Sequence, residues 1–130
     1  MDKTKKPLLD FASIATALLA LLIYGGWAAF VNSDHGTEMA IRAGLGQGVY
    51  AFFSTWLVTG TARKVLVNLG HNRLSYIVSF LASFCVMLTF PLIIHSLIGT
   101  IDILEAILPG LIWGSFYIVV VIKISTKTNN

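Results

Sequence analysis

Charge is what this chain has least of. Asp, Glu, Lys and Arg make up 12% of its 130 residues, about half the ~25% of a soluble domain. None of the four occurs in residues 11–31, 43–62, 74–101 or 106–122. A soluble chain this short buries too small a share of its surface to hide four such stretches in one core. Cysteine is scarce as well: the single Cys85 excludes an intramolecular disulfide, and no Cys/His set has the spacing of a zinc site. There is no G-x-S-x-G, no phosphate-binding glycine loop and no carboxylate inside an apolar stretch. No enzymatic activity, metal or cofactor is therefore expected.

What is present is apolar sequence in membrane-sized units. Hydrophobic residues make up 56% of the chain and its mean hydropathy is +0.81. Each charge-free stretch approaches the roughly 20 residues that carry a helix across a bilayer. In lipid the backbone must satisfy its own hydrogen bonds, which leaves helices or a closed barrel. Barrel strands alternate polar and apolar residues, and a run such as ALLALLIYGG does not. The expected fold is an all-α membrane protein: one domain of four transmembrane helices in an up-down bundle, near residues 8–31, 40–62, 74–99 and 104–123. The basic N-terminus followed by an apolar run also has the order of a signal peptide. Its apolar core of about 21 residues exceeds the 7–15 of a signal, so an uncleaved first helix is expected.

The basic residues set an expected orientation. Of nine Lys and Arg, only Arg42 falls between the first and second or the third and fourth stretches. The others precede the first stretch, follow the last, or lie in the middle connection with Arg63, Lys64 and Arg73. The positive-inside rule then places both termini in the cytoplasm, in a bacterial inner membrane. The net charge of +3 is read as this topological bias, not as a nucleic-acid surface.

A shift of 63 residues superimposes Gly36, Thr37, Ala43 and Leu45 on Gly99, Thr100, Ala106 and Leu108. The match suggests two tandem two-helix repeats of like orientation. Small residues recur at helical spacing in the second stretch (Gly44, Gly48, Ala51, Thr55) and in the fourth (Gly110, Gly114). Small residues let backbones approach closely where lipid offers little drive to associate. They are expected to pack helices within the chain, or else to form a seam between copies.

The candidate ligand site is Arg42, Gln47, His95 and Glu105. All four fall within a turn or two of one expected end of the bundle. An amide buried in hydrocarbon needs a partner, Arg42 suits an anionic group, and Glu105 is placed to hold Arg42 by a salt bridge. Pro91 is expected to free a backbone carbonyl beside His95. The functional expectation is an oligomeric transporter or flippase-like carrier of a small or lipid-like anionic molecule. The alternative is a non-catalytic accessory or assembly subunit of a larger membrane complex. The partners expected are the lipid bilayer and either further copies of the chain or another membrane protein, with no nucleic acid. Topology reporters fused after residues 35 and 70 should read outside and inside respectively; an outside signal at residue 70 would reverse every side assigned here.

Overall fold

The computed structural model describes residues 11–127; the expected helix start near residue 8 and the final residues 128–130 lie outside them. Within that range there are four α-helices and no strand: α1 Phe11–Val31, α2 Thr37–Leu69, α3 Arg73–Ile98 and α4 Ile103–Lys127, with a short 3-10 turn at Ser33–His35. Two bounds differ from expectation. α2 runs beyond 40–62 at both ends, because Leu66 is buried and anchors the basic extension. It stops at Gly70, whose φ of 80° leaves the helical region. α4 continues past residue 123 to Lys127, where Thr126 Oγ1 donates to the Lys123 carbonyl at 2.8 Å.

Three helices, not four, are long and apolar enough by themselves to cross a membrane: Ser13–Val31, Arg73–Ile98 and Ile103–Lys127. α2 is the exception, and its composition explains why. Its charge-free part carries Gly44, Gly46, Gln47, Gly48, Ser54, Thr55 and Thr59. Those residues are affordable because α2 is the inner helix: it packs against α1, α3 and α4, whereas α1 and α3 do not meet. The lipid-sized side chains point outward elsewhere, as in Leu22, Phe30, Leu45, Phe53, Leu81 and Phe116, all exposed.

The contacts of α2 differ by face. Toward α1 it presents Gly44 and Gly48. A methyl group at Gly48 would sit 3.1 Å from the Leu21 carbonyl oxygen, and one at Gly44 3.0 Å from Ala29 Cβ. The partner glycine is on α1: a Cβ at Gly25 would lie 2.8 Å from the Gly44 oxygen. Gly25 was not among the packing residues read from sequence. Ala51 is buried on the same helix. On α4, Gly114 makes room for Met87, whose sulfur would lie 2.1 Å from an added Cβ.

Toward α3 the pattern changes. Ser75, Ser79, Ser83, Met87, Pro91 and His95 are all buried, one at every fourth residue. A row at that spacing runs obliquely along a helix and forms one ridge. Ser79 Oγ donates to the Ala62 carbonyl at 3.0 Å, and Ser75 Oγ to the Leu69 carbonyl at 3.0 Å. Asn72 caps α3 by accepting the Ser75 N–H at 3.0 Å. The contacts Ser79–Ala62, Met87–Tyr50 and His95–Gln47 ascend α3 while descending α2, so the two helices are antiparallel.

Gly25→Leu and Gly48→Ile should each destabilise the protein by about 1–3 kcal/mol through overpacking. Val49→Ile, on a half-exposed position, should cost under about 0.5 kcal/mol. Thermal unfolding in detergent measures all three; equal losses would mean that the face carrying Val49 is also packed.

Candidate functional site

Two prolines inside helices set the local geometry. Pro91 lies in α3 and Pro109 in α4, the latter beyond the first turn, where a proline removes a helical hydrogen bond. The carbonyl left without its partner is four residues back: Met87 for Pro91 and Glu105 for Pro109. Both are satisfied by an aromatic side chain from another helix. Tyr50 Oη on α2 donates to the Met87 oxygen at 3.3 Å, and Trp27 Nε1 on α1 donates to the Glu105 oxygen at 2.8 Å. The Tyr50–Met87 contact is buried, where no water can substitute for the donor, whereas the Trp27–Glu105 contact is exposed.

A cavity of about 220 Å³ lies between α1, α2 and α4, backed by Met87 and Pro91 of α3. From Gln47 to Val58, both on its wall, it extends roughly 16 Å along α2 at 1.5 Å per residue. The hydroxyl-bearing residues Tyr24, Tyr50, Ser54, Thr55 and Tyr117 line it, and among the described residues no charged side chain does. At the Arg63 end, the Thr59 and Tyr117 hydroxyls bond to each other at 2.6 Å and tie α2 to α4.

At the opposite end stands a buried polar chain. Gly99 closes α3 in the left-handed conformation, φ 75°, and turns the backbone so that Thr100 N–H donates to the His95 carbonyl at 2.9 Å. The same turn brings Thr100 Oγ1 to 2.8 Å from His95 Nδ1. The other ring nitrogen, Nε2, donates to Gln47 Oε1 at 2.8 Å. With Nε2 protonated, a neutral ring has Nδ1 free to accept the Thr100 hydroxyl. The chain therefore runs in one direction, from Thr100 to His95 to Gln47. His95 is fully buried and Gln47 is 2% exposed. The amide nitrogen of Gln47 is left on the cavity side, where it is the atom nearest a Cβ built at Gly110, at 3.6 Å. It makes no hydrogen bond among the described residues.

Above His95 the turns are clamped together. Asn32, fully buried, donates from Nδ2 to the Ala28 carbonyl at 3.0 Å and accepts the Asp102 N–H on Oδ1 at 3.0 Å. His35 and Asp102 pair at 2.7 Å, each about one-third exposed.

The four residues singled out in the sequence thus divide. Gln47 and His95 meet at hydrogen-bond distance within the protein. Arg42 and Glu105 do not join them or each other. Arg42 bonds Glu38 one turn earlier on α2, with both side chains exposed. The side chain of Glu105 is exposed, and its backbone oxygen serves Trp27. The expected Arg42–Glu105 bridge is replaced by a pair on one helix, because a partner at i,i+4 is closer than one on another helix. Of the packing residues, Ala51, Thr55, Gly110 and Gly114 line the cavity. Among the described residues no group of His, Cys, Asp and Glu could hold a metal ion. Sequence reading passed over Asn32, Thr100, Trp27 and the α3 serines. The one available signal was the alignment of Asn32 with His95 under the 63-residue shift, since both positions are wholly buried.

No protein-family model, curated protein or solved structure matches this chain.

Tyr50→Phe should destabilise the protein by about 1–2 kcal/mol, because the Met87 carbonyl loses its donor. In a Pro91→Ala background the same change should cost much less, since residue 91 then supplies an N–H. A double-mutant cycle on thermal unfolding tests this; an identical cost in both backgrounds would mean that the hydroxyl serves something other than the proline gap.

Proposed function

We propose that this protein is a small carrier of the bacterial inner membrane that holds a lipid-like molecule in the cavity between α1, α2 and α4. The observation that carries the reading is that cavity: a partly open space between three helices, lined by hydroxyl-bearing residues, with the Gln47 amide at one end. In this reading α2 is the fourth span. Its residues 43–62 carry no charge, and its neighbours shield its polar side chains from lipid. Both termini face the cytoplasm, supported by the placement of Lys and Arg. The Asp102 end then faces outward.

The ligand proposed differs in one respect from the anion expected from sequence. Arg42 pairs with Glu38 on the surface, and no charge among the described residues lines the cavity, so the part of the ligand held inside is uncharged. A charged headgroup would lose hydration there without compensation. Passage across the bilayer would be completed by further copies, since four helices give a narrow wall. Under the tandem-repeat reading, Asn32 and His95 are equivalent buried tethers at the outer ends of the two halves.

An accessory role is the second reading. Val67 and Leu69 are exposed at the Arg63 end of α2, past the charge-free stretch. An apolar pair among basic residues suits a contact with another membrane protein.

Filling the cavity separates the two readings. Purified protein incubated with a total lipid extract should retain a bound lipid in native mass spectrometry. Ala20→Phe, on the α1 wall of the cavity, should lose it while keeping its helical circular dichroism. Equal lipid retention by both proteins would remove the cavity as the site and leave the accessory role.

A further inference from the structure

The cavity is not sealed toward the bilayer. Tyr24 and Trp113 line both the cavity and a second hollow on the outside of the α1–α4 seam. That outer hollow is bounded by Gly26, Trp27, Phe30 and Pro109, which are lipid-facing types apart from the glycine. The two spaces meet at one pair of aromatic side chains. Gly26 leaves free space beside the seam: a Cβ there would meet nothing within 4 Å. Trp27 Nε1 pins α1 to the Glu105 carbonyl at one end of the same seam.

The polar end of the cavity has a definite hydrogen-bonding sense. Gln47 Oε1 is occupied by His95 Nε2, whose ring is oriented by Thr100. What the amide shows the cavity is its N–H. An amide N–H on the wall of a largely apolar cavity is best satisfied by a molecule that brings an acceptor. The cavity volume fits a ring or an ester group and not a long chain, and the seam offers a chain its way out.

We propose that the cavity takes the carbonyl end of an uncharged, lipid-soluble molecule, admitted sideways from the bilayer between α1 and α4, with Gln47 Nε2 donating to the carbonyl oxygen and the apolar tail lying over Gly26 in the seam. This rests on the cavity being the binding site, as argued above. Two kinds of membrane molecule share that chemistry, a tailed quinone and a diacylglycerol ester.

The test uses the full chain in lipid nanodiscs and its own tryptophans, since Trp113 borders the cavity and quinones quench indole emission. A decyl-tailed ubiquinone analogue should quench saturably. Gln47→Leu should raise the half-saturating concentration about tenfold, the loss of one buried hydrogen bond. Gly26→Phe plugs the seam at a position with free space. It should weaken the tailed quinone at least about tenfold and leave the tail-less dimethoxy-methyl-benzoquinone unchanged. Dioctanoylglycerol that restores the emission identifies an ester lipid as a ligand; a failure to displace identifies the quinone as the source of the carbonyl. Wild-type affinity in Gln47→Leu overturns the carbonyl assignment. Equal weakening of both quinones by Gly26→Phe overturns the sideways path. If no saturable quenching occurs while lipid is still retained by the wild type and lost in Ala20→Phe, the carbonyl inference fails and the cavity reading stands.

Discussion

A carbonyl that loses its helical partner to a proline needs a donor from elsewhere, and this protein creates that need twice. Pro91 and Pro109 each free one oxygen. Tyr50 answers the first and Trp27 the second. The ties run α2 to α3 and α1 to α4, so between them they involve every helix. They also fix where the bundle is tight and where it is hollow. Tyr50, Met87 and Pro91 all border the cavity, so the defect in α3 and its repair form part of the wall.

The remaining cohesion comes from two contrasting surfaces of α2. Against α1 the backbones approach through Gly25, Gly44 and Gly48, with almost no side chain between them. Against α3 the contact is mediated by serine hydroxyls that reach across to carbonyls. Large apolar groups gain little by leaving lipid, and many face outward. The exception is the cluster of Val58, Met87, Ile118 and Ile122, where α2, α3 and α4 bury apolar side chains against one another. Ser83 is the member of the serine row whose hydroxyl is buried without a partner, and it lies between the serine contacts and the Met87 carbonyl. It is the one polar cost visible in that interface.

Much of the helical architecture was legible in the sequence, because absence of charge over twenty residues is a strong constraint in lipid. The status of α2 was less so. Its glycines, Gln47 and threonines reduce its hydropathy for the same reason that they suit an inner helix, and that reason is visible only once its neighbours are placed. At the polar end, the sequence made Gln47 and His95 conspicuous as polar side chains in apolar runs. It could not show that they meet, since they lie on different helices and the register is set by the Gly99 turn. Arg42 and Glu105 were grouped by their height along the helices. Height carries no information on azimuth, and both proved to point outward. Trp27 had no signal as a hydrogen-bond donor, because its acceptor is a backbone oxygen that exists as a free group only through Pro109.

Each proline tie couples the inheritance of two distant positions. A change of Pro109 to another residue restores an N–H to α4 and removes the demand for an indole at residue 27. The reverse change, loss of Trp27 with Pro109 kept, leaves the Glu105 oxygen without its indole donor. Drift through sequence space is therefore directional: the proline must leave before the aromatic can. Across any lineage of this chain, Trp27 should be lost only after Pro109, and Tyr50 only after Pro91, leaving intermediates that keep the aromatic without its reason but scarcely any that keep the proline without its donor.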